Sequence, residues 1–498
     1  MLEWAKVQAG KVMISNVLSN IVVALLVLSV IIVIHELGHF LVAKFFKIKV
    51  ETFSVGFGPR LVGFRRGDTD YRISAFLLGG YVKMAGETPT DTITGEAYEF
   101  LSKPKWQRFL VAAAGPAMNV VLAIALVMGL YMYGTDVPEI FIGQAVVGIV
   151  EAGSPADKAG FKPGDQIISL NGKEKPDWQT IENEFLTSPG RPLRMIIDRE
   201  GRHMEMTVTP EPRGREEVGY VGMVPVYRTV VRSVQPNSPA MAAGVRAGDE
   251  IIRVNGVDLH NSGRTIQQAI QETTEKTFPI TVLRNESPVP PAEQPSLWDK
   301  LRGFFGRGSP SADVRSIPLA AGSQPSVDNR RELVLEVTPV LRDGRKMIGI
   351  DVPFPTVHIK LGMIGALQKS FETNKENAAL IFQIIGRLVK REASLKQLNG
   401  PVGIVAISGE AYEAGFATLL TFMAVISLNL GILNILPIPI LDGGVILLLV
   451  IESLMGRDLS LRMKERIVQA SFVFLLMLTV IVLYNDVVKL LPPTQPAP

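Results

Sequence analysis

The sequence predicts a polytopic α-helical membrane protein, with four transmembrane helices and two small α+β modules outside the bilayer. Three observations carry this. Hydrophobic residues fill 47% of the 498 positions, mean hydropathy is +0.25 and only 20% of residues are charged, a balance too apolar for an ordinary soluble chain. Four apolar stretches each approach the ~17–25 residues a spanning helix needs. Between the second and third of them, a 19-residue segment occurs twice.

The first apolar stretch covers 17–34 and runs straight into His35-Glu36-Leu37-Gly38-His39, with no small-residue cleavage site to mark it as a signal peptide. We expect a span over about 17–42. The others are expected at about 109–133, 415–436 and 467–484. Basic residues set the orientation. Eleven Lys and Arg lie from Lys44 to Arg108, between spans one and two, and Arg457, Arg462, Lys464 and Arg466 lie between spans three and four. The positive-inside rule puts these two connections in the cytoplasm. Both termini and the long segment 134–414 then lie on the far side.

The repeat runs from Ser154 to Gly172 and again from Ser238 to Gly256, offset by 84 residues with 11 of 19 positions identical. Each copy reads as a short helix, a Gly-Asp turn, an apolar strand and an Asn-Gly hairpin turn. Modules are expected at 143–226 and 227–355, the second carrying a Pro-, Gly- and Ser-rich insertion over about 287–329. Segment 356–413 contains an amphipathic helix with Leu361, Ile364, Leu367, Phe371, Ile381, Ile384, Ile385 and Leu388 on its apolar side. It is too charged to span. Two readings compete for it, a helix lying on the membrane surface and an ordinary packing helix. The membrane core is thus expected in two parts, 1–142 and 414–498.

Several chemistries are excluded. The chain has no cysteine, so it has no disulfide framework, thiolate metal site or cysteine nucleophile. A net charge of +3 gives no footprint for nucleic acid. A metal would have to be held by His, Asp or Glu. On a helix, His35 and His39 lie one turn apart on one face and can share a zinc ion, and Glu36 beside them can reach a water on that ion. Ionisable groups at the end of an apolar span are costly unless used. The remaining histidines, His203, His260 and His358, fall in the far-side segment, so a carboxylate is the better third ligand. Asp442 is the candidate. It follows Asn434-Ile-Leu-Pro437-Ile-Pro439-Ile-Leu441, at the cytoplasmic end of span three, and Gly443-Gly444 comes after it. Two prolines and two glycines break the helix there and are able to turn Asp442 toward the metal.

The histidine motif in a first span, the Asn-x-x-Pro-x-Pro-x-Leu-Asp-Gly run at 434–443 and the modules between them resemble the site-2 protease family. The tandem repeat resembles paired PDZ domains. Further matching stretches are Gly56-Phe57-Gly58, Leu78 to Met84, Ala114-Gly115-Pro116-Ala117-Met118-Asn119 and Gly400 to Ile404. One departure is Val445, where relatives often have His. The resemblance implies a four-helix membrane core in a bacterial inner membrane, with periplasmic PDZ-like domains and a cytoplasmic-side membrane-associated β-loop over about 51–84. It also implies an intramembrane zinc metalloendopeptidase, with Zn²⁺ held by His35, His39 and Asp442, and Glu36 as general base.

Read with that resemblance, the expected substrates are membrane-spanning segments, such as those of an anti-sigma factor or leftover signal peptides. A spanning helix must unwind before its carbonyls can be attacked, and the unwound strand needs new backbone partners. An exposed strand edge at Gly79, Gly80, Tyr81 and Val82 is expected to supply them. The resemblance gives Asn434 a part in substrate positioning; a plain helix-terminal cap is the competing reading. Peptides are the expected ligands of the PDZ-like domains, and two roles compete for the pair: peptide sensing, or size exclusion of substrates with bulky ectodomains. A membrane-anchored PDZ scaffold without proteolysis is the alternative function.

Overall fold

The computed structural model describes residues 2–87, 94–214, 217–259, 264–285, 330–342, 345–390 and 395–490. The expected insertion 287–329 and His260 lie outside them. The chain divides into two compact units, residues 1–133 together with 361–498, and residues 134–360.

The first unit holds helices α1 (Leu2–Phe45), α2 (Lys105–Tyr133), α3 (Met363–Val389), α4 (Pro401–Glu413), α5 (Phe416–Asn434), α6 (Asp442–Met455) and α7 (Leu461–Leu490), with strands β1 (Val50–Arg66) and β2 (Thr69–Met84) between α1 and α2. Among the described residues, four helical segments are long and apolar enough to cross a bilayer: Val17–Phe45, Lys105–Tyr133, Phe416–Asn434 and Arg462–Lys489. They coincide with the four expected spans. The 29 residues of the first rise about 43 Å, ample for a ~30 Å hydrocarbon core.

Helix α2 is the centre of this unit. Lipid provides no hydrophobic drive between helices, so close packing of small residues holds them together. A side-chain carbon at Gly38 of α1 would lie 2.3 Å from the Ala114 carbonyl oxygen of α2, and one at Gly431 of α5 would lie 3.0 Å from the Pro116 carbonyl oxygen. Ala123 of α2 and Leu428 and Ile432 of α5 form a small core, joined by Ala378, Ile381 and Ile385 of α3. The apolar residues of α3 therefore divide: Ile381 and Ile385 pack inward, whereas Ile364 and Phe371 are exposed.

Helix α7 is held at its ends. Near one end, buried Asp486 accepts hydrogen bonds from the main-chain N–H groups of Gly400, Val402 and Gly403 at 3.0–3.1 Å. These are free donors at the start of α4, where Pro401 has no N–H to offer. Near the other, Lys464 pairs at 2.6 Å with Glu452 of α6, a carboxylate only 1% exposed.

Strands β1 and β2 fold back on themselves. Phe53 pairs on one side with Val82 and on the other with Tyr71, while Arg65 pairs with Asp70. The result is four lanes, 80–84, 50–55, 70–74 and 60–66, with 80–84 at one edge. Among the described residues no other strand pairs with that edge.

In the second unit the two repeat copies fold alike. Short helices Pro155–Lys158 and Pro239–Ala242 are each capped by the preceding serine. Strands Gln166–Leu170 and Glu250–Val254 follow. Each lies second in a four-stranded antiparallel sheet of the same order. The Asn-Gly turns take positive φ at both residues, +48° and +83° in the first copy and +47° and +78° in the second, as a two-residue hairpin of this kind requires. The Gly-Asp aspartates do more than turn the chain. Asp165 is gripped in bidentate fashion by Arg199 at 2.6 and 2.7 Å, and Asp249 by Arg284 at 2.8 Å. Each arginine also donates to a glycine carbonyl, Gly160 or Gly244. The carboxylates hold both guanidinium pKa values above their ordinary value through these hydrogen bonds. Thr135–Pro138 pairs with Thr356–Ile359, so the strands at the two ends of this unit form a single ladder.

Candidate metal centre

The centre is built from α1, α2 and the start of α6. His35 and His39 project from one face of α1, and their Nε2 atoms lie 3.2 Å apart. Asp442 reaches them from α6, with Oδ2 at 3.1 Å from His35 Nε2 and Oδ1 at 3.4 Å from His39 Nε2. Both histidines are buried and Asp442 is partly so. Among the described residues this is the one group of His, Asp and Glu whose donor atoms come so close together.

The way the chain delivers Asp442 is local and steric. Helix α5 stops at Asn434, and the Pro437–Pro439 stretch cannot continue it. Leu441 is the N-cap of α6 and Asp442 its first residue, where a carboxylate suits the positive end of the helix dipole. The connecting loop folds tightly over this turn. A side-chain carbon on Gly443 would lie 2.2 Å from the Ile435 carbonyl oxygen, and one on Gly444 2.2 Å from the Pro439 Cα. Only glycine allows that approach.

The donor set fits a zinc ion. Ligands at about 2.0–2.1 Å on a tetrahedron stand about 3.3 Å apart, close to the separations here. Two nitrogens and a carboxylate oxygen leave a fourth position open, the mark of a catalytic rather than a structural site. His39 is oriented for ligation by its other nitrogen: Nδ1 lies 2.8 Å from the Val111 carbonyl oxygen of α2, so Nδ1 donates, and in the neutral ring this leaves the lone pair on Nε2. Space for both rings comes from Gly115. A side-chain carbon there would lie 2.2 Å from His39 Nε2 and 2.7 Å from His35 Nε2.

Of the other residues expected in the site, Glu36 and Asn434 lie at this cluster and Val82 meets it through Glu36, whereas Gly79, Gly80 and Tyr81 sit along the adjoining strand. Glu36 lies within Coulombic reach of His35, His39 and Asp442. One of its oxygens accepts the main-chain N–H of Val82 at 3.0 Å, so the free edge of the sheet runs past the glutamate. Two glycines bring the edge this near. Gly79 has φ +106° and sits against Ile32 of α1, and a side-chain carbon at Gly80 would lie 2.6 Å from the Ser54 carbonyl oxygen. Tyr81 stacks on Phe57 and takes a hydrogen bond from Arg72. Asn434, at the end of α5, has Nδ2 3.4 Å from His35 Nε2. His203 and His358 lie in the other unit. Sequence reasoning did not assign Val111, Gly115, Asn119 or the Glu36–Val82 contact. Two signals pointed to Gly115 and Asn119, an asparagine inside an apolar span and the match of Ala114–Asn119 to the family the chain resembles, but neither gave a role.

A membrane unit with a His-His-Asp site between its spanning helices is the architecture of an intramembrane metallohydrolase. The chain belongs to peptidase family M50, whose family model matches residues 23–478. It is 30% identical over 496 residues to the regulator of sigma-E protease RseP of Escherichia coli (strain K12), covering 95% of this chain and 98% of that protein. It is 29% identical over 489 residues to the regulator of sigma E protease of Haemophilus influenzae, covering 94% and 98%. The chain is a multi-pass intramembrane zinc metalloprotease.

Proposed function

We propose that the chain cuts peptide bonds within the membrane-spanning segments of protein substrates, with zinc held by His35, His39 and Asp442 and with Glu36 as general base and acid. One observation carries the reading: two imidazole nitrogens 3.2 Å apart on one spanning helix each lie within 3.4 Å of one oxygen of a carboxylate more than 400 residues further along the chain. Zinc, when bound, acts as a Lewis acid that polarises the scissile carbonyl and acidifies water. Glu36, its carboxylate aimed by the Val82 N–H, takes the proton from the attacking water and returns it to the leaving amine. The Asn434 amide, released from His35 Nε2 once that atom is a ligand, donates to the carbonyl oxygen as negative charge develops there.

The substrate helix unwinds and adds as a strand to the edge formed by Gly79, Gly80, Tyr81 and Val82, which runs beside Glu36. The period of two turns the main chain of Gly80 and Val82 outward on this edge. The far lane of the same sheet leaves Leu61, Val62 and Phe64 exposed next to Arg60, Arg65 and Arg66, a surface suited to the headgroup boundary of the bilayer. The basic connections put this sheet and the metal on the cytoplasmic side of a bacterial inner membrane, with both termini and residues 134–360 in the periplasm.

The relatives named as regulators of sigma E support an anti-sigma-factor-like substrate; remnant signal peptides share the same chemistry. The two repeats act as PDZ-like domains. A cavity of about 220 Å³ lies along strand Met223–Pro225 of the first repeat, lined by Glu182, Phe185 and Leu186 from helix Trp178–Thr187 and, from the second repeat, by Thr265 and Gln268; it is a candidate groove for a peptide added as a strand. Deleting 143–355 and comparing cleavage of full-length and pre-truncated substrates tests this role; unchanged selectivity rules it out.

The deciding experiment measures zinc content and cleavage of a reporter span for wild type and Glu36→Gln. Zinc in both and cleavage by wild type alone is expected. Zinc binding without cleavage by wild type would leave a scaffold.

A further inference from the structure

Asn119 lies on α2 one helical turn beyond Gly115 and is fully buried. Its Nδ2 stands 3.2 Å from His35 Nδ1, and its Oδ1 is buried without a hydrogen-bond partner. The main chain around it is fixed, since Ser427 of α5 donates to the Asn119 carbonyl at 2.8 Å.

A neutral imidazole carries one proton. His35 turns Nε2 toward His39 and Asp442, so ligation through Nε2 puts the proton on Nδ1 and makes that atom a donor. An amide NH₂ facing it would set donor against donor. A half-turn of the amide exchanges its two ends and brings the unpartnered Oδ1 to Nδ1–H.

We propose that Asn119 is the positioning residue for His35, accepting Nδ1–H through Oδ1 in the zinc-loaded enzyme and so fixing the tautomer that ligates. This rests on the reading of His35 as a zinc ligand. One stripe of α2 then serves the whole centre. Val111 accepts from His39 Nδ1, Gly115 makes room for both rings, and Asn119 accepts from His35. The three are spaced four residues apart, which keeps them on one helical face.

The test is a zinc titration of the full chain in detergent against a competing chelator. Asn119→Leu keeps the size and removes the acceptor; it should weaken zinc binding about 10–100-fold. Asn119→Asp keeps an acceptor and should stay within about threefold of wild type or bind more tightly. Wild-type affinity in Asn119→Leu, or equal losses in both variants, overturns the proposal. His35→Phe runs alongside. If it leaves zinc binding unchanged, the ligand assignment fails instead. Should Asn119→Leu not fold, ¹⁵N-histidine spectra of the zinc-loaded wild type decide, with His35→Phe for assignment. A His35 Nδ1–H shifted downfield by a hydrogen bond supports the proposal, and a protonated Nε2, or an Nδ1–H without that shift, overturns it.

Discussion

Replacing Gly115 with alanine adds one carbon at the most crowded point of the metal centre. That carbon would lie 2.2 Å from His39 Nε2 and 2.7 Å from both His39 Cε1 and His35 Nε2. Ordinary contact begins near 3.4 Å, so the His39 ring must retreat by about 1 Å. Zinc–ligand distances tolerate only about 0.2 Å. The ring is the far end of a side chain and can rotate away, so the helix itself should survive. Alanine even favours a helix over glycine by up to about 1 kcal/mol. The variant should therefore keep wild-type helicity and thermal unfolding in the metal-free state, lose at least about 10–100-fold in zinc affinity, and fail to cut a reporter span. Chelator competition gives the affinity, circular dichroism the fold, and gel cleavage the activity. Wild-type zinc affinity in Gly115→Ala would refute the packing argument, because no arrangement of the two rings seen here coexists with the added carbon.

Other outcomes follow from the same geometry. Glu36→Gln should lower turnover by about 10²–10⁴-fold at unchanged zinc content, checked by metal analysis beside a cleavage assay. Val82→Pro removes the N–H that aims Glu36 and blocks the outer edge, so it should lower cleavage while zinc stays bound; Tyr81→Pro, which disturbs the inner ladder with Ser54, should do the same, and normal turnover by both would eliminate strand addition. Arg199→Ala or Arg284→Ala leaves Asp165 or Asp249 buried without its cation and should cost its own repeat about 3 kcal/mol, read by hydrogen exchange of the neighbouring strands. Glu99 accepts hydrogen bonds from the Thr94 side chain and main chain, from Gly95 and from Ser102, which hold its carboxyl below the usual carboxylate range. Its contribution is therefore complete above that range and lost as pH falls through the lowered value; protection of 94–104 from proteolysis should differ between wild type and Glu99→Gln at neutral pH and converge in acid.

The spans were legible because composition alone sets them, a lipid-facing helix being apolar all round. The histidines of the candidate metal centre were legible because their spacing is a property of one helix. The duplicated modules were legible because Asn-Gly and Gly-Asp turns demand particular residues, although the arginines that clamp Asp165 and Asp249 sit on later strands and left no trace in the repeated segment. Helix α6 was not foreseen. Its 14 residues are too few to span, and its opening Asp-Gly-Gly reads as the end of a broken helix, not the start of a new one.

What stayed hidden in the site is the part that depends on tertiary approach. The glycines at 79 and 80 announce a close passage of backbone, but only the fold shows that the passage is past Ile32 and Val33, one turn before His35. Asn119 meets His35 across 84 residues, and no periodicity links them. An asparagine and a glycine in an apolar span weaken its partition into lipid and its helix propensity. Both costs make sense once α2 is the wall against which two imidazoles are oriented. A span with bulkier apolar residues in place of Gly115 and Asn119 would insert more readily, but both rings would lose the space they occupy and His35 its amide neighbour, and only the main-chain carbonyl of residue 111 would still face His39.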